Sequence, residues 1–272
     1  MKRNLFSIKD KTIVVTGGLG QIGSSYCKTL GEYGANIVIL DLSEYNLEPS
    51  HNTTQLIDKG QAIYIKTDIT NKNSLSDALK KMESKFGPPY GLINNAGLDS
   101  PPHSSSKSNG PFEDYDEDIW DKVIDVNLKG VFLSCQIIGS AMANNGQGSI
   151  INIGSIYGML SPDQRLYEYR KELGEVFFKP IAYSASKSGI YGLSRYLATY
   201  WAKNNVRVNT LTLGGVFNNQ DKEFLDEYNK KVPLGRMAES QEYGGSIIFL
   251  LSEASSYMTG ANLVMDGGLS SW

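Results

Sequence analysis

Residues 12–23 read Thr-Ile-Val-Val-Thr-Gly-Gly-Leu-Gly-Gln-Ile-Gly, an apolar β-branched run that breaks into glycines and then opens a helical pattern. The run predicts a strand over Thr12–Thr16, and its unbroken hydrophobicity suits a parallel sheet covered on both faces. Glycines at 17, 20 and 23 let the backbone turn tightly and approach an anion. Gln21 and Ile22 then begin a helix whose first amide groups are free to meet it. A glycine cluster alone is a weak signal, because turns are rich in glycine. Its position between a strand and a helix strengthens it.

Outward from this stretch, apolar runs recur at 36–41, 62–66, 91–94, 149–153, 207–211 and 262–265. Segments of helical period alternate with them, beginning near Ser50, Lys72, Asp118, Ile181, Asp221 and Ser240. Strand–helix alternation from end to end predicts an α/β fold: a single doubly wound domain over residues 1–272, with a central, mainly parallel seven-stranded sheet flanked by helices. Two stretches interrupt the pattern. Residues 99–118 carry Pro101, Pro102, serines and an acidic cluster, and residues 161–179 carry Arg165, Tyr167, Tyr169, Arg170, Lys171 and Lys179. Both read as insertions, which in compact domains serve as functional loops or mobile surface, and the second, falling between Ser155 and Tyr183, is expected to contact substrate.

Composition narrows the function. The 272 residues are 40% apolar and 20% charged with a net charge of -3, so no basic field exists to track nucleic acid. Cys27 and Cys135, the only cysteines, sit in apolar helical patterns and read as core. His51 and His103 have no ligand-spaced neighbour, so no metal site is expected. No signal core and no apolar run of membrane length is evident, so a cytoplasmic protein without a membrane partner is expected.

Asp41 closes the second strand 18 residues beyond Gly23. A carboxylate there can accept both hydroxyls of an adenosine ribose and repels a 2′-phosphate. Leu42 follows it, and no arginine or lysine stands beside it in sequence, so NAD is favoured over NADP. The plainer alternative is an aspartate that caps the next turn. Asp68, before Ile69, ends the third strand and is either an adenine contact or another turn aspartate. Tyr183 and Lys187 are four residues apart at the start of a helix, so phenol and ammonium share a face. A cation within ~4–6 Å lowers a phenol by roughly 1–3 pH units, toward the range where acid–base catalysis works. A second such pair, Tyr167 and Lys171, lies among Glu168, Arg170 and Glu172 and reads as a solvated face. The small residues Ser184, Ala185, Ser186 and Gly189 around Lys187 leave room for a cofactor instead. Ser155 follows an apolar strand at the edge where parallel sheets bind ligands, positioned to hold a substrate oxygen. Asn127 is an amide inside an otherwise apolar helical pattern and needs buried partners.

In order, these residues resemble the short-chain dehydrogenase/reductase family, whose fold is the Rossmann type. The matching pieces are the glycine loop, Asp41, Asp68, Asn94-Asn95-Ala96-Gly97, Asn127, Ser155, Tyr183, Lys187, and the downstream segments 206–209 and 257–268. The resemblance implies a catalytic tetrad: Tyr183 as acid/base, Ser155 holding the substrate oxygen, Lys187 tuning the phenol and gripping a ribose, and Asn127 anchoring water. It also implies Asn95, Ala96 and Gly97 on the adenosine side, with Val216, beyond Gly214, at the nicotinamide carboxamide. The implied activity is interconversion of a secondary alcohol and a ketone on a hydroxylated or sugar-like small molecule. A dehydratase or epimerase using transient oxidation, or a non-catalytic dinucleotide-binding regulator, are the alternatives. Three departures stand out: the middle glycine falls at Gly20, Leu213-Gly214 replaces the usual Pro-Gly with Asn218 near a usual threonine, and 28 residues separate Ser155 from Tyr183. The segments 154–158 and 214–220 and the aromatic insertion are similar to a subgroup linked with bacterial surface-glycan and flagellin-sugar biosynthesis, in which Arg165, Arg170 and Lys171 would either meet a sugar phosphate or stand as solvated charges. Family members pair helices between subunits. Trp120, Phe132, Tyr191 and Trp201, read as lying outside the core-facing stripes, therefore predict a homotetramer or homodimer.

Overall fold

The computed structural model describes residues 4–45, 52–99 and 109–272. The seven expected strands form as β1 (Thr12–Thr16), β2 (Asn36–Asp41), β3 (Ala62–Lys66), β4 (Gly91–Asn94), β5 (Gly148–Ser155), β6 (Val206–Leu213) and β7 (Asn262–Met265). Every pairing is parallel, so the sheet is wholly rather than mainly parallel. The order is β3-β2-β1-β4-β5-β6-β7, which reverses direction between β1 and β4 and leaves a crevice at their carboxyl ends. β5 and β6 are longer than their apolar runs because they pair without interruption from Gly148 opposite Val206 to Ser155 opposite Leu213. That pairing makes Ser155 the last residue of a strand, not the first of a loop.

Along β1 the side chains alternate faces, as the pleat requires. Val14 packs with Val38, Leu92 and Ile150 beneath α3 (Lys72–Phe86), α4 (Glu117–Asn144) and α5 (Ile181–Tyr200). Ile13 and Val15 pack with Ile37, Ile39 and Ile93 against α1 (Gln21–Glu32), α2 (Asn52–Asp58) and α7 (Gly244–Leu251). Both cysteines are core, and burial pushes each thiol up to about 12. α4 is long and apolar enough to cross a membrane by length and composition, contrary to the reading of the sequence, but its Val131, Leu133, Ile138 and Met142 are buried in the core. Trp201 is not on an outward stripe: it is buried, and a Cβ on Gly139 would come within 2.7 Å of its ring. Phe132 does face outward, as do the stacked Tyr196 and Tyr200 of α5.

A third apolar cluster caps the carboxyl end of the sheet. Leu166 and Tyr167 from the 161–179 insertion pack with Phe224 and Tyr228 of α6 (Lys222–Lys231). The reading of Tyr167 as part of a solvated face is therefore wrong. A turn of 3-10 helix at Gln164–Tyr167, followed by a helical turn at Tyr169–Glu172, rotates it inward onto Phe177 and Phe224. Of the 99–118 insertion, Phe112–Asp114 forms a 3-10 turn, and Asp116 caps α4 by accepting from the amides of Asp118 and Ile119. His51, His103, Pro101 and Pro102 lie outside the described residues.

The glycine loop is set by close packing. Gly17 has φ +64°, and a Cβ there would lie 2.8 Å from the Ala96 Cα. One on Gly23 would lie 2.1 Å from the Gly17 carbonyl oxygen, a backbone atom that cannot swing away. Gly23→Ala is expected to destabilise the protein by about 1–3 kcal/mol or more through overpacking. Urea unfolding measures this, and an unchanged midpoint would mean that the loop relaxes around the added methyl.

Candidate active site

The carboxyl ends of β1, β4, β5 and β6 surround a cavity of about 390 Å³. Of the residues singled out from the sequence, Gln21, Ile22, Asn95, Gly97, Ser155, Tyr183, Lys187, Gly214 and Val216 line it. α5 begins after Pro180, whose extended backbone ends the insertion, and its first turns carry Tyr183 and Lys187 into the cavity. The Ser155 hydroxyl lies beside the Tyr183 phenol, where it opposes the rise in the phenol's pKa, and it accepts from the Tyr157 amide at 3.2 Å.

Lys187 is buried, donates to the Ile153 carbonyl at 2.9 Å, and lies 5.9 Å from the Tyr183 ring centroid. Burial pulls this lysine down to about 8 and pushes the Tyr183 phenol well above its ordinary range, with the Asp99 carboxylate adding to the rise. A phenol lowered by its ammonium neighbour is thus not what the protein alone provides. Desolvation, which disfavours the charged form of each group, is the largest cause of both shifts.

Asn127 does not touch the cavity. It sits in a π-helical turn of α4, Asp125–Lys129, where its Oδ1 accepts from the Leu98 amide at 2.7 Å. Its Nδ2 donates to the Leu98 carbonyl at 2.9 Å and to the Ser186 hydroxyl at 3.1 Å. The amide thus joins the loop that follows β4 to α5.

The glycine-loop end of the cavity is built from glycine and backbone. Unlike at Gly17 and Gly23, the nearest atom to a Cβ on Gly20 would be 3.5 Å away, so packing within the protein does not demand glycine there. Gly20 caps α1 without a side-chain bond, leaving the first amides of a twelve-residue helix for an anion. Asp41 accepts from the Leu19 amide and from the Ser43 amide, each at 3.0 Å, so it braces the glycine loop and caps its own turn. Leu42 beside it is exposed. Lys66, Asp41's register partner on β3, is a cation the sequence reading overlooked, and it is paired with Glu44. Asp68 accepts from the Thr70 amide and hydroxyl, the contacts of a turn, and Ile69 is buried against Gly130. Asn95 donates from Nδ2 to the carbonyls of Thr16 and Gly17, both at 3.1 Å, fastening the loop to β4. Gln21 reaches across to donate to the Phe217 carbonyl at 2.7 Å, tying α1 to the segment after β6. These residues fit a dinucleotide: an open glycine at an uncapped helix end, a carboxylate at the next strand end, and a buried ammonium beyond.

The substrate side was only partly legible in the sequence. Of Arg165, Arg170 and Lys171, only Arg170 lines the cavity. It is buried and ion-paired with Glu175 at 3.2 Å and Asp221 at 3.1 Å. Arg165 is exposed and pairs with Asp163, and Lys171 is exposed. Asp99, Tyr157, Lys179, Tyr228 and Met237 also line the cavity. They come from separate segments, the loops after β4 and β5, the 161–179 insertion, α6 and the stretch beyond it, which only the fold brings together. Among the described residues no group of acidic, histidine or cysteine side chains could hold a metal ion.

Comparison with known proteins agrees with this architecture. Residues 19–270 match the short-chain dehydrogenase model described as "Enoyl-(Acyl carrier protein) reductase". The chain is 31% identical over 268 residues to the NAD-dependent glycerol dehydrogenase of Listeria innocua, covering 97% of this chain and 95% of that protein. A short-chain dehydrogenase from Leptospira borgpetersenii with bound NAD+ superposes with a TM-score of 0.84 at 33% identity, covering 99% of this chain and 97% of that one. A gluconate 5-dehydrogenase from Burkholderia cenocepacia in complex with NADP and tartrate gives a TM-score of 0.83 at 28% identity, covering 98% of each chain. The chain belongs to the short-chain dehydrogenase/reductase family.

The position of Lys187 has a consequence for stability. A lysine held near 8 when folded binds fewer protons than in the unfolded chain between that value and the usual lysine range. Its contribution to stability therefore rises as pH climbs through 8. In the cofactor-free protein, the unfolding free energy of wild type relative to Lys187→Met should move in favour of wild type between pH 7 and about 9.5, a range bracketed by the folded and the usual lysine values. A flat difference by urea titration would place the ammonium in contact with water.

Proposed function

We propose that this protein is a nicotinamide-dependent oxidoreductase that interconverts a secondary alcohol and a ketone on a polyol-like small molecule, with Tyr183 as the acid/base. The observation that carries the reading is the convergence of the Ser155 hydroxyl, the Tyr183 phenol and the buried Lys187 ammonium on one cavity below the glycine loop. The relatives named for glycerol and gluconate support a polyhydroxylated substrate.

In oxidation, Ser155 holds the substrate hydroxyl toward Tyr183, and the phenolate oxygen takes its proton. In reduction, the phenol returns a proton to the carbonyl oxygen. Lys187, fixed by its bond to the Ile153 carbonyl, supplies the positive charge that makes the phenolate affordable inside the protein. Asn127 acts through others, holding Leu98 and Ser186 so that the cavity wall and α5 keep register. Bound nicotinamide supplies the hydride acceptor for oxidation and the donor for reduction. Gly17, Gly20, Gln21, Ile22 and Gly23 would hold the pyrophosphate, Asp41 the adenosine ribose, Asp68 and Ile69 the adenine, Asn95, Ala96 and Gly97 the adenosine side, and Gly214 and Val216 the carboxamide.

Asp41, followed by an apolar Leu42 and with Lys66 already paired, supports NAD over NADP. The single sheet supports one catalytic domain over residues 1–272. The exposed Phe132, Tyr196 and Tyr200 support a homo-oligomer through α4 and α5.

Tyr183→Phe should lower kcat/KM for polyol oxidation by about 10²–10⁴, the range for losing a positioned acid/base, with NADH affinity retained. NADH formation at 340 nm reads it out, and wild-type turnover by that variant would end the proposal. Product without net NADH would instead favour a transient-oxidation dehydratase or epimerase. Asp41→Asn combined with Leu42→Arg should lower the NAD-to-NADP ratio of kcat/KM at least about tenfold, since tenfold corresponds to only ~1.4 kcal/mol. An unchanged ratio would move cofactor selection elsewhere.

A further inference from the structure

Two insertions meet beside the phenol. Asp99, just beyond β4, and Lys179, the last residue of the 161–179 segment, are 80 positions apart in sequence and form an ion pair at 2.5 Å on the cavity wall. The Lys179 side chain is only 8% exposed, and its ammonium lies 5.0 Å from the Tyr183 ring centroid, closer than that of Lys187 at 5.9 Å. Its backbone is clamped from both sides: its amide donates to Gln164 Oε1 at 2.8 Å, and its carbonyl accepts from Gln164 Nε2 at 3.3 Å. Burying a charge is costly unless it is paired and hydrogen-bonded, and an apolar residue would pack here without that cost. A charged pair held this firmly within a substrate cavity points to recognition of something polar.

The geometry points to Asp99 and Lys179 as a specificity-determining pair that holds a hydroxyl on the carbon next to the reacting one, so that the enzyme prefers vicinal diols to isolated secondary alcohols. The inference rests on the oxidoreductase reading above and adds which side chains read the substrate. An ammonium has three donors and a carboxylate about four acceptor sites, so the pair can keep its own bond while donating to and accepting from one hydroxyl. The Lys179 ammonium, 5.0 Å from the Tyr183 ring centroid, shares one cavity with the phenol, so the pair can reach the carbon next to the reacting one. The pair brings no net charge of its own, which suits a neutral diol better than a phosphate.

Two matched probe pairs test this: 2,3-butanediol against 2-butanol, and trans-1,2-cyclohexanediol against cyclohexanol, each with NAD. Wild type should favour each diol at least tenfold in kcat/KM. Lys179→Met should bring that ratio down at least tenfold, mainly through KM, and Lys179→Arg should restore part of it. Asp99→Asn, at a half-exposed position, gives a second variant should Lys179→Met fold poorly, and it should lower the ratio in the same direction. A wild-type ratio near one, or variants that lose activity equally on diol and monohydric probes, would overturn the pair's role. So would an equal displacement of the pH profile on both probes, which would make the pair a tuner of the phenol. Absence of NADH from every probe would bring down the underlying reading and this inference with it, whereas a flat ratio in an active enzyme would remove the inference alone.

Discussion

The hydroxyl of Thr16 holds the ends of β1 and β4 together at the point where the sheet reverses its order. Its Oγ1 accepts from the amides of Asn95 at 3.0 Å and Ala96 at 3.1 Å and donates to the Ile93 carbonyl at 3.4 Å, which satisfies its one donor and both acceptor sites. Asn95 returns the tie by donating to the Thr16 and Gly17 carbonyls. Between them these bonds fix where the glycine loop leaves the sheet and where the run from Gly97 to Asp99 begins. A crevice at a reversal point forms in any doubly wound sheet. This network makes it a rigid one.

Beyond that crevice the chemistry is governed by what burial does to charge. Lys187 donates to a backbone carbonyl, with no carboxylate bonded to it among the described residues, and burial pulls it down to about 8. Lys179 and Arg170 are buried with carboxylate partners, and Arg170 also stacks over Phe177 at 4.7 Å and donates to the Tyr169 hydroxyl at 3.2 Å. The contrast separates two jobs. A cation compensated by a carboxylate offers fixed polar contacts with little net field, whereas one held by a neutral dipole stays responsive to a negative charge appearing nearby. The phenol that would carry such a charge is the neighbour of Lys187.

Precision in the cavity also depends on irregular helix. α4 contains π-helical turns at Asp125–Lys129 and Cys135–Gly139. The first holds Asn127 where its amide reaches both the Leu98 backbone and Ser186. π turns cost regular hydrogen bonding and tend to occur where a side chain must be aimed. The aim here couples the loop after β4 to the helix bearing the tyrosine. On the other side, the cluster around Tyr167 and Phe224 ties the insertion to α6, so the substrate wall is packed with the rest of the protein.

By itself, the sequence determined the strands, their parallel stacking and the glycine loop, and it singled out Ser155, Tyr183 and Lys187, which line one cavity. Those signals are local: a continuous apolar run, glycines where backbone must approach backbone, and an i, i+4 spacing on a helix. It could not determine where the 161–179 segment folds, and it misread Tyr167 as solvated because a run of charged neighbours masks a residue that a 3-10 turn rotates inward. Nor could periodicity see that Asn127 braces a loop, since a π turn changes which face a helical residue presents. The pairing of Asp99 with Lys179, the neutralisation of Arg170 and the raised phenol were decided by tertiary structure alone, because each depends on burial and on partners many residues away.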